Sequence, residues 1–380
     1  MSVQIVNVGD GACTIVRGRG QSMVIDCGAL HDDGKRSARR LADAVGASPT
    51  QLDTIVVSHF DADHWNGLEK LPDLITGSSL AVRLIYPRHP AAAAGLRQML
   101  AAVLVTKSAS PHGNAIKLQD AWKRSFPNTT KHALVRGDRF HAAGRTWSVH
   151  WPPLDVDKKW SKKFATVSAK VEKLAADNPD LRDALERAFS ESEPEWDSLD
   201  NNGEDQSHEA WSDGNNYDFD ERPDDERSDG EGQADDAPAP DEESETTDDL
   251  TAVYKDLQAL NNSLSLVISD CADELVAFGD IEKWGLRRLL LSGGMPEFAI
   301  VVLAPHHGTQ VPGESVRKLF PKSAVTVAQR GSQHERKASD KGYDRIWGSR
   351  TEQLHSTHSH GDYVIDYHWL RGTGDCCRFH

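Results

Sequence analysis

The sequence predicts an α/β protein in which two mixed β-sheets pack face to face, with helices on their outer faces. Three observations support this fold class. The chain opens with short β-rich runs, the stretch LDTIVVSH is an almost wholly apolar strand of the kind that is buried on both faces, and strands and helices recur in both halves of the chain. Because strand-rich regions lie on both sides of the helices, we expect one continuous domain over residues 1–380 rather than two.

The first part of the chain predicts three strands, a helix and a fourth strand. VQIVNVGDGACTIVRGRGQSMVID gives strands over residues 3–8, 13–17 and 23–26, which we interpret as a β-meander. KRSARRLADAVGA has helical spacing, with Leu41, Ala44 and Val45 on one face. The apolar strand LDTIVVSH follows and ends in a polar stretch.

Further elements are predicted along the rest of the chain. Strands are expected over residues 81–87, 145–152, 263–269, 274–279, 298–305, 323–329 and 362–368, and helices over residues 91–106, 115–125 and 281–291.

The region from residue 158 to residue 260 is predicted to be an insertion. We expect a helix over residues 158–190, a disordered acidic tract over about residues 191–250, and a second helix over residues 244–260. The tract holds 25 Asp and Glu residues and two Arg, a charge of −23, and is too poor in aliphatic residues to offset the entropy of ordering. The rest of the chain carries +7, which permits a polyanionic substrate.

The composition argues against several classes of protein. The sequence shows no run of about 18 apolar residues and no secretory leader, so we expect a soluble, cytoplasmic protein with no membrane partner. The five cysteines are odd in number and lack CxxC spacing, which argues against a disulfide framework and against a cysteine zinc site.

A dense group of polar side chains follows the apolar strand. SHFDADHWNGL, residues 58–68, places His59, Asp61, Asp63 and His64 within six positions. We expect alternate positions of a tight loop to direct these side chains to a common centre, where imidazole nitrogens and carboxylate oxygens suit Zn²⁺, Mn²⁺ or Fe²⁺. A solvated polar turn is the alternative interpretation.

The spacing excludes a calcium-binding loop. Such a loop starting at Asp61 would need Gly at its sixth position and Glu at its twelfth, and these positions hold Asn66 and Pro72. A metal site and a solvated polar turn remain as the two interpretations of this pattern.

The polar group resembles the signature of the metallo-β-lactamase superfamily, His-x-His-x-Asp-His after a strand. The chain has His59-x-Asp61-x-Asp63-His64, and the variant with Asp in place of the second His resembles the hydrolase domain of ComEC-type DNA-uptake channel proteins. Other stretches similar to that branch follow in the same order over residues 1–70, 137–155 and 260–370. They are the opening hairpin with Gly9, Asp10, Gly11 and Asp26; NNSLSLVI and ELVAFGDIE, with Asp280; and VVLAPHHGT, with His306, His307 and Gly308.

The resemblance implies an αββα sandwich and a centre of two divalent metal ions, Zn²⁺ or Mn²⁺. The ligands that it implies are His59 and Asp61 for the first ion, Asp63 and His64 for the second, Asp280 as a bridge, and His306 or His307 to complete the second site. We slightly favour His306 because it directly follows its strand. Asp63, His64 and Asp280 would serve catalysis by holding a hydroxide between the ions, a strong nucleophile at neutral pH.

One departure from the family pattern bears on the first ion. A further His is usual just before the strand SLSLVI, and here Asn261 and Asn262 take its place. We therefore expect the first ion to have one protein ligand fewer, so that its site is only partly occupied. His89 and His112 are candidates to substitute, and a surface position is the alternative for each. An oxygen-rich first site also favours Mn²⁺ over Zn²⁺.

Two more residues are assigned by their position. The family usually has an Asn and a His-Pro after the strand SAVTVAQ, and here His334 is available, which we interpret as a proton donor or a phosphate contact. Asp26 is expected to be structural and to hold the loop that carries the metal ligands.

The leading functional hypothesis is a metal-dependent phosphodiesterase, a nuclease acting on DNA or RNA. The alternatives are a hydrolase of the same fold that cuts a small substrate, such as a cyclic nucleotide, lactone or thioester, and a catalytically silent scaffold that presents the acidic tract to a protein partner. A cationic groove would favour the nuclease and a closed apolar pocket the small substrate. The tract is interpreted either as a pseudo-substrate that competes with nucleic acid or as a solubilising linker.

Overall fold

The fold is seen in a computed structural model that describes most of the chain. The described residues are 1–30, 34–46, 51–75, 81–88, 121–177, 242–272 and 274–366, with the single positions 179 and 182. The predicted helix at residues 91–106 and most of the acidic tract lie outside these residues.

Among the described residues, the first sheet has seven strands. In spatial order they are β14 (Tyr363–Asp366), β1 (Ser2–Ile5), β2 (Cys13–Gly18), β3 (Gln21–Cys27), β4 (Leu52–Val56), β5 (Arg83–Pro87) and β6 (Thr130–Leu134). The pairs from β14 to β3 are antiparallel and those from β3 to β6 are parallel. The predicted β-meander at the start of the chain is therefore present, and β4 lies in the parallel part of the sheet.

The second sheet also has seven strands. In spatial order they are β13 (Thr351–Ser356), β12 (Lys322–Ala328), β11 (Phe298–Leu303), β10 (Leu275–Ala277), β9 (Val267–Asp270), β8 (Arg145–Trp151) and β7 (Arg139–Ala142). The pairs from β10 to β13 are parallel, and those from β7 to β10 are antiparallel.

Helices connect and cover the sheets. They are α1 (Lys35–Val45), α2 (Ala62–Lys70), α3 (Lys158–Asp177), α4 (Glu242–Ser263), α5 (Lys283–Leu291), α6 (Ser332–Asp340), α7 (Tyr343–Gly348) and α8 (Thr357–His360). Residues 121–125 are also helical.

Three apolar layers hold the two sheets and their helices together. Strand β4 shows why its sequence is continuously apolar: Val56 packs between the sheets, whereas its neighbour Ile55 packs under the outer helices of the first sheet. Strand β11 alternates in the same way, with Val301 between the sheets and Val302 under the outer helices of the second. Strands buried on both faces need apolar residues at every position, so the predicted sandwich of helix, sheet, sheet and helix is confirmed.

Helices α3 and α4 form a fourth apolar cluster of their own. Along α3, Trp160, Phe164, Val167 and Val171 recur every three or four residues and are buried against α4, which contributes Leu257 and other apolar residues. This spacing is that of an amphipathic helix with one apolar stripe. Helix α4 begins at Glu242, so the end of the tract that the composition predicted to be disordered is helical.

Several elements were missed by the sequence reasoning. Strands β6, β7 and β13 and helices α6 and α7 were not predicted. In β6, TKHAL, only Leu134 is buried and the other residues are exposed or half-buried, so the strand has no apolar alternation to detect. In the described part of the chain, no helix is long and apolar enough to cross a bilayer.

The end of β3 packs against α2 so closely that only glycine fits at position 28. A Cβ atom on Gly28 would lie 2.5 Å from the carbonyl oxygen of Ala62 and 2.8 Å from the backbone nitrogen of His64. We therefore expect Gly28→Ala to destabilise the protein by about 1–3 kcal/mol, because backbone atoms must move to make room. Urea unfolding monitored by circular dichroism measures the change.

Gly313→Ala is the matched control for this substitution. A Cβ atom on Gly313 meets no other atom within 4 Å, so its effect should stay within about 0.5 kcal/mol. Equal stability of the two variants would contradict the close approach of β3 and α2.

Candidate metal centre

The candidate site lies where strands of both sheets end. His59 follows β4 of the first sheet, whereas Asp280 follows β10 and the pair His306-His307 follows β11 of the second. The carboxyl ends of these strands therefore meet at one edge of the sandwich, as is usual for the sites of α/β proteins. The residues that the sequence analysis singled out are brought together from positions up to 248 residues apart.

The polar stretch after β4 is a strand end followed by a helix, and not the tight loop that we expected. Asp61 has an extended backbone, with φ −77° and ψ 142°, and directly precedes α2. Asp63 and His64 lie in the first turn of α2 and are buried. Both side chains therefore reach the site from the first turn of the helix, and the ring of His64 lies against that of His59, with centroids 4.1 Å apart.

Asp63, His64, His307 and Asp280 form one tight cluster. The Nε2 atom of His307 lies 3.1 Å from Nε2 of His64, 3.2 Å from Oδ2 of Asp63 and 3.4 Å from Oδ2 of Asp280. The Oδ1 atom of Asp280 is 3.2 Å from Nε2 of His64. One ligand atom from each of Asp63, His64 and His307 fits within 4.8 Å of the others, close enough to share one ion.

The ring of His59 faces two carboxylates, those of Asp61 and Asp280. Its Nε2 atom is buried, has no hydrogen-bond partner among the described residues, and lies 3.8 Å from Oδ2 of Asp61 and 3.9 Å from Oδ2 of Asp280. These distances are too long for hydrogen bonds. Since buried polar atoms are normally satisfied, an imidazole nitrogen facing two carboxylates across such a gap fits a divalent cation between them. Asp280 borders both groups, which is the position that the sequence analysis expected of a bridge.

Asp26 orients His64 and the strand end. Its Oδ1 accepts the backbone N–H of Ser58 at 2.7 Å, and its Oδ2 lies 2.8 Å from Nδ1 of His64. When Nδ1 of His64 donates to this carboxylate, its Nε2 is left free to bind a metal ion. The structural role expected of Asp26 agrees with these contacts.

Of the two adjacent histidines, His307 lies inside the cluster and His306 at its margin. His307 is 3% exposed. His306 is half-buried, with its Nε2 3.8 Å from Asp280 and its Nδ1 3.6 Å from Glu282. The structure therefore does not support our preference for His306. The two histidines differ in position because the chain turns sharply after β11. Both have left-handed backbone conformations, with φ 49° for His306 and 56° for His307.

A buried arginine holds this turn. Arg330 donates from Nε to the carbonyl oxygen of His307 and from Nη2 to that of Gly308. The Nδ1 atom of His307 is 2.9 Å from the carbonyl oxygen of Gln329, so that its Nε2 faces the cluster. Sequence reasoning missed Arg330 because nothing in QRGSQ marks an arginine that is 0% exposed.

His334 lies beside the cluster, on the first turn of α6. Its ring stacks on that of His307 with centroids 4.3 Å apart. Asp10 holds this turn, since its carboxylate accepts the backbone N–H groups of Gly331, Gln333 and His334. Burial, with the charge of His307, lowers the pKa of His334 to about 3, so its imidazole is neutral at pH 7.

Side-chain amides from α4 hold the carboxylate of Asp61. Nδ2 of Asn261 donates to Oδ1 of Asp61 at 3.0 Å, and Nε2 of Gln258 donates to Oδ2 at 2.8 Å. Gln258 was not singled out by the sequence analysis. His89 and His112, which were considered as substitute ligands, lie outside the described residues.

The cluster carries opposite charges that stabilise each other. Burial raises the pKa of Asp280, but the charges of His307, His64 and His306 outweigh burial and hold it well below its usual range. Asp63 behaves in the same way, mainly through its hydrogen bond with His307. Conversely, burial lowers the pKa of His307, but the charge and hydrogen bond of Asp280 raise this pKa to about 9. The charges of Asp280 and Asp26 likewise raise the pKa of His64, against the effect of burial.

These shifts predict how the metal-free protein responds to pH. Because the pKa of folded His307 lies above its usual value of 6.5, its protonation stabilises the fold below about pH 6.5. That contribution is lost as the pH rises through about 9. Thermal unfolding of the chelator-treated protein should therefore show a falling melting temperature over this range.

His307→Gln is the control, since it removes the titrating ring and should flatten the decline. The same slope in His307→Gln and in the unsubstituted protein would contradict the assignment.

Comparison with known proteins agrees with the fold. Residues 6–156 match the family model for the Metallo-beta-lactamase superfamily. No curated protein is significantly similar to the chain in sequence.

Three solved structures illustrate the structural similarity. The metallo-beta-lactamase fold protein YhfI from Bacillus subtilis is similar over 96% of this chain and 100% of its own, with 7% identity and a TM-score of 0.42. A Cronobacter sakazakii metallo-beta-lactamase with a HARLDQ motif covers 39% of this chain and 48% of its own, with 20% identity and a TM-score of 0.25. The short form of human tRNase Z covers 36% and 46%, with 18% identity and a TM-score of 0.21. Similarities this low carry no argument about activity.

The match over residues 6–156 contains the polar stretch from His59 to His64, and two seven-stranded sheets flanked by helices complete the fold around it. In the sequence of residues 6–156 and in this fold, the chain is similar to the metallo-β-lactamase superfamily.

Proposed function

We propose that this protein is a metal-dependent phosphodiesterase that cleaves nucleic acid. The observation that carries the proposal is the convergence of three carboxylates with the imidazoles of His59, His64 and His307 in a buried cluster at the strand ends. The Asp at position 61, in place of the more usual His, supports the ComEC-like branch within the superfamily.

The residues divide between two metal positions. In this proposal His59 and Asp61 would hold the first ion, Asp63, His64 and His307 would hold the second, and Asp280 would be available to both. Divalent ions in such a centre neutralise the charge of a phosphoryl group and supply a nucleophile at neutral pH. The chain's own part is to orient these ligands: Asp26 does so for His64, and the carbonyl oxygen of Gln329 does so for His307.

His334 is proposed as a contact for the phosphate. Its side chain borders the cluster, and as a neutral imidazole it still carries one N–H that can donate to a phosphoryl oxygen. The phosphate contact fits a neutral ring better than the proton-donor role that we also considered.

A basic helix close to the site supports a polyanionic substrate. Helix α3 exposes six lysines: Lys158, Lys159, Lys162, Lys163, Lys170 and Lys173. It packs on α4, whose Gln258 and Asn261 contact Asp61, so the lysines lie one helix away from the site. Lysines along an exposed helix face provide the sequence-independent attraction for phosphates that nucleic-acid binding requires.

The two alternatives are less well supported. A hydrolase of a small substrate, such as a cyclic nucleotide, lactone or thioester, would use the same cluster but has no need of the lysines. A scaffold for a protein partner of the acidic tract has no need of the cluster, whose carboxylates repel one another when they are buried without cations.

Hydrolysis in the presence of Mn²⁺ or Zn²⁺ tests the proposed activity. The substrates are single-stranded DNA, duplex DNA, RNA and bis(p-nitrophenyl) phosphate. Asp63→Ala should lower the rate by more than about 100-fold, because loss of a ligand exceeds the effect of losing a residue that only orients one.

Asp43→Ala is the matched control, since Asp43 is an exposed carboxylate on α1 and its loss should leave the rate unchanged. Hydrolysis by Asp63→Ala at the rate of the unsubstituted protein would contradict the proposed metal chemistry.

Charge reversal on α3 tests the proposed substrate class. Lys158→Glu combined with Lys162→Glu should weaken binding of single-stranded DNA and reduce the slope of log affinity against log salt by roughly 1.4, at about 0.7 for each phosphate contact. Fluorescence anisotropy in the presence of a chelator measures binding without cleavage.

Lys318→Glu combined with Lys322→Glu is the control. Both lysines are exposed at the amino end of β12, whereas the site lies at the carboxyl ends of the neighbouring parallel strands, and their reversal should have little effect. Equal binding by the two double variants would favour a small substrate over nucleic acid.

A further inference from the structure

The last turns of α4 contact the candidate metal centre. Leu257 and Leu260 on this helix are buried in the cluster with α3, and Phe60, the neighbour of His59, packs against the same cluster. The polar residue that follows each leucine, Gln258 or Asn261, faces the site and contacts Asp61. The inserted helices are therefore in contact with the stretch that carries the ligands.

Asp61 receives a hydrogen bond on each carboxylate oxygen from this helix. Asn261 donates to Oδ1 at 3.0 Å and Gln258 to Oδ2 at 2.8 Å. Asn262, with its amide nitrogen facing Asp61, donates to Oδ2 at 3.2 Å and to the carbonyl oxygen of Gln258 at 2.9 Å. In the described part of the chain no Lys or Arg forms an ion pair with Asp61, so these amides are the groups that stabilise its buried charge.

Asn261 fixes the backbone as well as the carboxylate. Its Oδ1 accepts the backbone N–H of Phe60 at 3.2 Å while its Nδ2 holds Asp61. One side chain thus sets both the path of the chain before Asp61 and the direction of the Asp61 carboxylate. An amide N–H cannot bind a metal ion, so these contacts are to the ligand rather than to the ion.

The second cluster is held by different residues. His64 is oriented by Asp26 and His307 by the carbonyl oxygen of Gln329, and α4 makes no described hydrogen bond to either histidine or to Asp63. Any effect of the amides should therefore be confined to the position between His59 and Asp61.

We infer that Gln258, Asn261 and Asn262 are positioning residues through which α4 sets the affinity of the first metal position alone. The inference rests on the proposed metal centre and deepens it. The first position has one imidazole donor, His59, whereas the second has two, His64 and His307. The protein should therefore bind its two ions in separable steps, of which the weaker depends on α4.

Titration of the metal-depleted full chain with Mn²⁺ tests the inference. Electron paramagnetic resonance of free Mn²⁺ counts the bound ions, and two classes of site are expected. His59→Ala should abolish the weaker class and His307→Ala the tighter one, which assigns each class to its position. Asn261→Ala and Gln258→Ala should each weaken the weaker class by about 10–100-fold and leave the tighter class within about twofold.

Gln353→Ala is the matched control, because Gln353 is an exposed amide on β13. It should change neither class. Melting temperatures are measured beside each titration, since a residue needed only for the fold would lower the melting temperature and leave the weaker class of intact protein unchanged.

The inference is overturned by an Asn261→Ala protein whose weaker class is unchanged, or in which both classes weaken equally. A single class of site in the unsubstituted protein also overturns it. Hydrolysis of bis(p-nitrophenyl) phosphate by the same samples keeps the two questions apart: activity with one class of site contradicts only the inference, whereas two classes without activity contradict only the proposed function.

Discussion

The buried carboxylate of Asp280 is the constraint on which the rest of the structure depends. Its oxygens lie 3.2–3.9 Å from nitrogens of His59, His64, His306 and His307. A buried anion is stable only when cations or hydrogen-bond donors surround it. Those donors come from the ends of β4 and β11 and from α2, so both sheets must be present and in register before Asp280 can be buried. The sandwich and the candidate site are therefore one assembly rather than a scaffold with a site added to it.

The same requirement explains the strained turn after β11. His306 and His307 both have left-handed backbones, which few residues other than glycine adopt. Such a conformation persists only where the surroundings impose it, and here Arg330 does so by donating to the carbonyl oxygens of His307 and Gly308. The guanidinium is in turn paired with Glu335 and Asp344. A buried charge is thus used to hold the backbone in the one conformation that turns His307 inward.

The fold and the candidate ligands were predictable from the sequence because both leave local patterns. An apolar strand such as LDTIVVSH and four metal-binding side chains in six positions are visible within a dozen residues. The remainder depends on contacts between distant residues. The choice of His307 over His306 depends on two φ angles, and the link between Asn261 and Asp61 joins positions 200 residues apart. Spacing and composition carry no record of either, so the sequence alone could not distinguish His307 from His306 at the HHG turn or indicate Gln258.

The place of the insertion in the fold explains why it can be large and still reach the site. It joins β8 to β9, which are neighbouring antiparallel strands of the second sheet. A connection between paired strands can be lengthened at small cost, because the entropy of closing a loop grows only with the logarithm of its length. The two helices then bury their apolar stripes against each other, so the core is undisturbed. The chain must nevertheless return to β9 beside the end of β4, where Leu266 N donates to the carbonyl oxygen of Ser58. The last turn of α4 is therefore brought against Asp61 by the pairing of the strands, whatever the length or charge of the segment that precedes it.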